Sequence, residues 1–480
     1  MILDECKREK DLKVKSPYST RIMDNERKLG SIYKRIIKEI KPTDLEVRAA
    51  TAQANDLMGR LKKIVPRDVE LRITGSISRG TNLRGSTDID IFMLFPKGTP
   101  REKLVKDGVT YGKKLANKNK GESYEIKYAE HPYVRLFLND VGLRADLVPA
   151  LAIDSFVERV TSVDRTPLHT KFINERLTGK QRDEVRILKY LLKNHRIYGA
   201  EVKTEGFPGY LCELLIYQFG SLTNLLKHFS SIKLPAILDP STKSLNMKDE
   251  IAKMFNSDFV VIDPVDPGRN VAAGVSKESL ARFVLTARKI LDNPSIDSFY
   301  GYKFSSETSH QMFTNFLSKN GFDSYLILCN IPKKSEDIIW PQLRKLRVLI
   351  CNEIRANGFS YILGTQWVSG NKGAILIIAP KQKVTSRILK GPPVFIGKAS
   401  SDFISKHKKA EAVMLSDDTI YAIERSRFIE ISDLLKLAEK GTLVKRRPDV
   451  ATKGCKILVN KVPKSMSDDA YSELLKCIKV

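Results

Sequence analysis

The stretch that decides the fold is Gly75-Ser76-Ile77-Ser78-Arg79-Gly80-Thr81-Asn82-Leu83-Arg84-Gly85-Ser86-Thr87-Asp88-Ile89-Asp90. It places a Gly-Ser turn ahead of a D-x-D pair, and the apolar residues after Asp90 predict a strand entering a core. Because side chains alternate across a strand, Asp88 and Asp90 are expected on one face. Adjacent carboxylates repel each other unless a divalent cation lies between them, and a Gly-Ser turn offers N–H groups and a hydroxyl to phosphate oxygens. Together these features are typical of nucleotidyl transfer from a metal-bound triphosphate.

The spacing of the turn and the D-x-D pair resembles that of the nucleotidyltransferase superfamily that includes DNA polymerase beta. Members of that superfamily carry a third carboxylate on a neighbouring strand. Asp146 fits that position, because it lies in the short apolar run 143–149, which ends in a proline and follows turn residues 139–142. A buried aspartate is costly unless it is paired or metal-bound. Asp146 is therefore either the third metal ligand or the ion-pair partner of Arg135 or Arg144.

Four further segments resemble a narrower family, the class I, archaeal-type CCA-adding enzymes, which are tRNA nucleotidyltransferases that build the CCA end of tRNA. The segments are residues 129–133 (AEHPY), 146–150 (DLVPA), 163–170 (VDRTPLHT) and 262–272 (IDPVDPGRNVA). The resemblance starts near residue 41, is densest in the first three hundred residues and leaves the N-terminal extension without a counterpart. It implies template-independent addition of CCA to tRNA from CTP and ATP, with release of pyrophosphate.

The transferase pattern predicts the residues that hold metal and phosphate. A pair of Mg²⁺ ions is expected, because all-oxygen ligands favour magnesium over zinc. The expected catalytic residues and metal ligands are Asp88, Asp90 and Asp146. Ser76 and the backbone amides of the turn that starts at Gly75 are expected to hold the β and γ phosphates, while Arg79 either adds positive charge or braces the turn.

Four other residues are assigned to the nucleotide by family position. Lys189 and Tyr198 are expected to contact the triphosphate, although Lys189 also suits an ordinary boundary position. His169 is expected to contact the nucleotide, with a structural hydrogen-bonding role as the alternative. Arg269 is expected to read the incoming base, since a guanidinium can hydrogen-bond acceptors of both cytosine and adenine. The residues expected to hold that arginine in place are Asp263 or Asp266.

The chain organisation predicts an α+β multidomain protein. Its segments are an N-terminal extension (1–30), a polymerase-beta-like nucleotidyltransferase catalytic domain (31–160), a helical nucleotide-binding domain (161–297), a small α/β, RNA-recognition-like, tRNA-binding domain (298–380) and a basic C-terminal tRNA-binding domain (381–480). Periodicity predicts helices over 43–64, 101–119, 210–229, 277–291 and 338–356, strands over 88–95, 143–149 and 325–328, and a hairpin around 369–373. The α/β domain lacks the aromatic RNP signature, so base stacking on its sheet is not predicted.

Composition indicates the partners and the compartment. Lys plus Arg number 82 against 56 acidic residues, and the net charge of +26 favours an anionic partner, for which tRNA lacking part or all of its CCA end is the expectation. No apolar run approaches the ~20 residues that span a bilayer, so no membrane partner is expected. Six cysteines without C-x-x-C spacing make zinc and a disulfide framework unexpected and suit a reducing cytoplasm. The oligomeric state stays open, with a homodimer as one candidate.

Three competing functions share some of these features. A poly(A) polymerase, or another RNA 3′-terminal nucleotidyltransferase, carries the same carboxylates and Gly-Ser turn, but the segments 163–170 and 262–272 favour the CCA-adding family. A transferase acting on small molecules would not need a basic C-terminal half. An RNA-binding protein with an inactive transferase domain is disfavoured because all three carboxylates are present.

Overall fold

The structure, a computed structural model, describes residues 17–85, 88–116, 121–128, 130–138, 143–241, 248–301, 306–443 and 455–463. The chain forms two compact units, Met1–Tyr302 and Lys303–Val480. Expectations for residues 1–16 and for the turn 139–142 fall outside the described residues. The predicted α+β multidomain architecture is confirmed.

The first unit begins with two helices and a mixed sheet. The bounds are α1 Pro17–Ile40, α2 Asp44–Lys62, β1 Glu70–Thr74, α3 Gly75–Ser78, β2 Asp88–Phe95, α4 Arg101–Leu115, β3 Ser123–Tyr128, β4 Pro132–Leu138 and β5 Leu143–Leu151. The sheet order is β1-β2-β5-β4-β3, with β2 and β5 parallel and the other neighbours antiparallel. The strand of Asp146 is therefore the direct neighbour of the strand that carries the D-x-D pair, as expected.

Local chemistry explains how α2 and the sheet are placed. Thr43 Oγ1 accepts the backbone N–H of Glu46 while the Glu46 carboxylate accepts the N–H of Thr43, so a capping box opens α2. Apolar residues of α2 and α4 pack against the face of β2 on which Ile89, Ile91 and Met93 are fully buried. Burial of that face leaves the two aspartates of the D-x-D pair on the opposite face.

The rest of the first unit is mainly helical. Its elements are α5 Thr166–Arg176, α6 Gly179–Asn194, α7 Gly209–Phe219, α8 Leu222–Ser230, β6 Ala236–Leu238, α9 Lys248–Phe255, β7 Phe259–Val261, α10 Lys277–Asp292 and α11 Asp297–Tyr300. The prediction of one helix over 210–229 is wrong. Gly220 takes a left-handed φ of 74°, and Ser221 starts α8 by accepting the N–H of Asn224, so the chain forms two helices there.

Helix α1 belongs to the core of this helical region. Leu29, Ile36 and Ile40 are buried in one apolar cluster with residues of α6, α7, α8 and α10. The helix therefore crosses residue 30, where the sequence places the end of an N-terminal extension. The other segment boundaries stay predictions.

The second unit contains a four-stranded and a three-stranded sheet. Its elements are α12 Ser306–Asn320, β8 Phe322–Asn330, α13 Glu336–Ala356, β9 Leu363–Ser369, β10 Lys372–Pro380, β11 Ser386–Pro393, α14 Gly397–Lys406, β12 Ala412–Ser416, β13 Thr419–Arg425, α15 Ile431–Glu439 and β14 Cys455–Val459. The antiparallel order β14-β8-β10-β9 is covered by α13 and α15 on one face and by α12 on the other. The predicted strand, long helix and hairpin are all present, and β11-β13-β12 form the smaller sheet.

One disulfide is present although the sequence makes a disulfide framework unexpected. Cys329 and Cys455 form a disulfide between β8 and β14, where they are directly opposed with Cα atoms 4.4 Å apart. Their 126-residue separation in sequence hides this pairing, because only the strand register brings them together. Cys212 and Cys351 are free and buried.

Among the residues that the structure describes, no helix has the length and apolarity needed to cross a membrane.

Candidate active site

The polar face of the first sheet brings the predicted carboxylates together. In the parallel pairing of β2 with β5, Asp90 lies opposite Asp146, and Asp88 lies opposite Arg144. Burial raises the pKa of Asp90 to about 7, the neighbouring charge of Asp146 adds to this rise, and the positive charge of Arg79 opposes it. The side chains of Asp90 and Asp146 therefore repel each other across adjacent strands, which is the environment that a divalent cation relieves.

Two arginines neutralise the other members of this carboxylate group. Arg135 donates two hydrogen bonds to the carboxylate of Asp146, each 2.7 Å long, and Arg144 Nε lies 3.0 Å from Asp88 Oδ1. The ion-pair alternative for Asp146 is thus present, with Arg135 as its partner. Within the described residues, no three His, Cys, Asp or Glu side chains are already grouped as a metal site would require. The oxygen-only donors and the repulsion at Asp90 fit a hard divalent cation. To bind one, Asp146 must exchange its contact with Arg135, and Asp88 its contact with Arg144, for the metal ion.

Gly75 allows the turn formed by α3 to approach the carboxylates. Its φ is +72°, and a Cβ atom built on it would lie 1.7 Å from Asp90 Oδ2. Only glycine fits both the left-handed backbone and this contact. Ser76 follows in the single turn of α3, so the turn and the Asp90 carboxylate lie side by side, as the sequence predicts.

The cations predicted for the phosphates meet at Glu213, a residue of α7 that sequence reasoning missed. Arg79 Nε lies 2.8 Å from Glu213 Oε2, while Lys189 Nζ lies 3.2 Å from Oε1 and Thr81 Oγ1 donates to Oε1 over 2.5 Å. All four residues are buried. Burial would raise the pKa of Glu213, but the charges of Arg79 and Lys189 hold it below the ordinary value. An acidic residue in the apolar run of α7 was the signal available in the sequence.

Side chains on one face of α6 hydrogen-bond the loop that follows α3. Arg182, Arg186 and Lys189 are spaced along that face and donate to the backbone carbonyl oxygens of Arg79, Asn82 and Thr81, respectively. The Tyr198 hydroxyl and Lys189 Nζ both lie close to Gly209. A Cβ atom built on Gly209 would be 3.1 Å from that hydroxyl and 3.5 Å from Nζ. The structure thus brings Arg79, Lys189 and Tyr198 into one group.

A second polar cluster surrounds Asp263. His169 Nε2 lies 2.9 Å from Asp263 Oδ2, Arg269 Nη1 donates to the same oxygen over 2.9 Å, and Tyr210 donates its hydroxyl proton to Oδ1 over 3.1 Å. Burial would raise the pKa of Asp263, but the hydrogen bonds from His169, Val265 and Arg269 lower it to about 2. Burial lowers the pKa of His169, the neighbouring Asp263 opposes this shift, and the ring N–H donates to the carboxylate, which can only accept. The Arg269 side chain keeps 33% of its surface exposed.

The structure selects Asp263 as the residue that holds Arg269. Asp266 instead binds Arg165 at 2.5 Å and Arg159 at 3.5 Å. The two clusters are joined through α5, because Arg79 Nη1 donates to Thr170 Oγ1 next to His169.

Comparisons with known proteins cover most of the chain. Residues 55–169 match the family described as nucleotidyltransferase domain, residues 183–300 match tRNA nucleotidyltransferase, second domain, and residues 321–447 match CCA-adding enzyme, C-terminal domain. A CCA-adding enzyme of Methanocaldococcus jannaschii is 35% identical over 435 residues, which cover 86% of this chain and 92% of the relative. A CCA-adding enzyme of Thermococcus gammatolerans is 33% identical over 461 residues, covering 92% and 97%. The chain therefore belongs to the archaeal-type CCA-adding enzyme family.

Proposed function

We propose that this chain adds CCA to the 3′ end of tRNA from CTP and ATP without a template, releasing pyrophosphate, in the cytoplasm. The observation that carries the proposal is the register of β2 and β5, in which Asp90 and Asp146 face each other beside Gly75. Relatives named CCA-adding enzymes, aligned over most of the chain, support the substrate. Assembly as a homodimer is a separate proposal, which sedimentation of the purified chain tests.

The metal ligands in this proposal are Asp88, Asp90 and Asp146, and magnesium is the divalent ion that their oxygen atoms favour. When bound, the ion would lower the pKa of the attacking 3′-hydroxyl and neutralise charge on the triphosphate. Arg135 and Arg144 pair with two of these carboxylates, so the strands form without three uncompensated charges. Both arginines must then give up these contacts when the site is loaded.

The triphosphate is proposed to lie between the turn at Gly75–Ser78 and the start of α7. Arg79 and Lys189 together carry two positive charges but share one buried carboxylate, Glu213, so the group keeps an excess positive charge for phosphate oxygens. Ser76 and the backbone amides of the turn are proposed to hydrogen-bond the β and γ phosphates. Tyr198, whose hydroxyl lies beside Lys189, is proposed to complete this group.

The base is proposed to be read by Arg269. Asp263 holds one guanidinium nitrogen, so the partly exposed remainder of the guanidinium has a fixed direction toward a base edge. His169 stacks on Tyr210 with ring centroids 4.1 Å apart and hydrogen-bonds the same carboxylate, which makes it a brace of the base reader as well as a candidate nucleotide contact.

Asn substitutions at the carboxylates test the assignment. Asp90→Asn and Asp146→Asn are expected to abolish nucleotide addition while tRNA affinity stays near that of the unmodified protein, because affinity comes mainly from basic contacts elsewhere. Asp154→Asn is the matched control and should retain activity, because the Asp154 side chain is 89% exposed and the residue lies outside β2 and β5. Addition at an ordinary rate by Asp90→Asn would contradict the metal assignment.

A further inference from the structure

A buried hydroxyl group beside the carboxylates has no partner. Thr74, the last residue of β1, is fully buried, and among the residues that the structure describes no group hydrogen-bonds its Oγ1. Burial has removed water from this hydroxyl without supplying a protein partner in its place. Most buried hydroxyls are hydrogen-bonded, because an unpaired one destabilises the folded state. The Thr74 hydroxyl is therefore a donor that the fold itself does not use.

The strand register places this hydroxyl on the face of the predicted metal ligands. Thr74 lies directly opposite Asp90 in the antiparallel pairing of β1 with β2, and Asp90 lies opposite Asp146 in the pairing of β2 with β5. Directly opposed residues of an antiparallel pair share a face, with Cβ atoms about 4.5–5.5 Å apart. Because β2 lies between β1 and β5, the Asp90 side chain has Thr74 on one side and Asp146 on the other.

Asp90 differs from the other two carboxylates in its surroundings. Each of the other two pairs with an arginine of the sheet. The positive charge of Arg79 acts on Asp90, but the Arg79 guanidinium is bound by the carboxylate of Glu213, with Nε 2.8 Å from Oε2. Thr74 thus places an unused hydrogen-bond donor opposite the carboxylate that lacks an arginine of its own in the sheet.

We propose that Thr74 is a positioning residue of the metal site, whose hydroxyl donates a hydrogen bond to the Asp90 carboxylate when that carboxylate binds a divalent cation. The proposal rests on the proposed function, in which Asp90 is a metal ligand. A hydroxyl proton rotates to suit its acceptor, and a hydrogen bond to an ionised acceptor is shorter and stronger than one to a neutral acceptor. The bond fixes the direction in which the carboxylate presents its oxygen atoms, as outer partners of metal ligands do.

Thr74→Val tests the hydroxyl, because valine keeps the branched shape of threonine and replaces the hydroxyl with a methyl group. In the metal-free protein, the thermal midpoint should stay the same or rise, since the substitution removes an unsatisfied buried group. A residue needed only by the fold would instead lower the midpoint. The proposal therefore predicts that this substitution spares the metal-free protein and damages metal binding.

Metal binding is measured with Mn²⁺ alone, from the signal of the free ion in electron paramagnetic resonance. Thr74→Val should weaken Mn²⁺ binding by about 10- to 100-fold, as loss of an outer partner of a metal ligand does. The Mg²⁺ concentration that gives half-maximal nucleotide addition should rise with it. Thr74→Ser keeps the hydroxyl and should bind Mn²⁺ nearly as the unmodified protein does.

The matched control is Ser324→Ala, which removes a second buried hydroxyl. Ser324 lies on β8 of the second unit, is 1% exposed, and also has no hydrogen-bond partner for its Oγ within the described ranges. This substitution should leave the affinity for Mn²⁺ unchanged. A loss of affinity confined to Thr74→Val therefore reports on the position of Thr74 and not on the removal of a buried hydroxyl in general.

Three results would overturn the proposal. One is unchanged Mn²⁺ affinity in Thr74→Val, and another is an equal loss in Thr74→Ser, which would assign the effect to side-chain shape. The third is a lower thermal midpoint or failure of Thr74→Val to fold, which would make the hydroxyl part of the fold. Asp90→Asn separates the two proposals: normal Mn²⁺ binding by Asp90→Asn would contradict the metal site itself, whereas its loss beside normal binding by Thr74→Val would contradict only the role of Thr74.

Discussion

Replacing Glu213 by Gln should destabilise the packing of α7 against α6 and against the turn of α3, because Glu213 binds residues of both. The Glu213 side chain is fully buried, and it is the shared partner of Arg79 and Lys189, which are themselves almost fully buried. Loss of its charge leaves two buried cations competing for a neutral amide. Removing one partner of a buried ion pair costs about 3–5 kcal/mol. Because the Gln amide oxygen can still accept from Thr81, we expect the lower end, about 3 kcal/mol.

A double-mutant cycle tests the origin of this loss. Lys189→Met removes one of the two cations, so the double variant Glu213→Gln/Lys189→Met should recover about 1–3 kcal/mol relative to the sum of the single losses. Hydrogen exchange of α6 and α7 amides is the appropriate assay, because it resolves local opening. Both tryptophans, Trp340 and Trp367, lie in the second unit, so their fluorescence would not report on the surroundings of Glu213 in the first unit.

The control for Glu213→Gln is the same substitution at an exposed glutamate of α10. Glu278→Gln changes an exposed i,i+4 partner of Arg282 on α10, and it should alter exchange by less than about 1 kcal/mol. Strict additivity of the Glu213 and Lys189 losses would refute the shared-carboxylate interpretation. So would a loss at Glu213 no larger than that at Glu278.

Three further predictions follow from the site. Gly75→Ala should destabilise the protein by at least about 1–3 kcal/mol in chemical denaturation, since it forces a non-glycine residue to a φ of +72° and into Asp90, whereas Gly59→Ala, in an open helical position, should not destabilise it. Arg269→Ala should raise UTP and GTP incorporation relative to CTP by an amount equivalent to about 1–3 kcal/mol, and an equal loss of rate with all four nucleotides would contradict its role in base reading. The lowered pKa of Asp263 stabilises the folded state by about 2 kcal/mol at pH values above the ordinary aspartate pKa. This contribution should be lost as the pH falls from about 4 to about 2. Over that range, the thermal midpoint of Asp263→Asn should therefore change less than that of the unmodified protein.

The sequence predicts the strands that carry Asp88, Asp90 and Asp146 because their signals are local. Alternation places Asp88 and Asp90 on one face, and the proline-ended run around Asp146 marks the neighbouring strand. The capping box at Thr43 likewise depends on residues three positions apart. In these places the interacting groups are close in sequence, so spacing is sufficient.

Long-range partners were not accessible in the same way. Glu213 meets Arg79 across 134 positions of chain, counted from their residue numbers, and nothing near either residue indicates the other. The sequence offers both Arg135 and Arg144 as partners of Asp146, and only the antiparallel register of β4 with β5 selects Arg135. The apolar period continues on both sides of Gly220, so it does not indicate the break between the two helices there.

The central claim is tested most directly by sequencing the 3′ ends of tRNA lacking CCA after incubation with the protein, CTP, ATP and Mg²⁺, alongside Asp90→Asn. We expect ends that stop after the three nucleotides C, C and A, and unmodified ends with the variant. Long A tails would instead indicate a poly(A) polymerase. Unextended ends with the unmodified, folded protein, or extended ends with Asp90→Asn, would contradict transfer at the β2–β5 carboxylates.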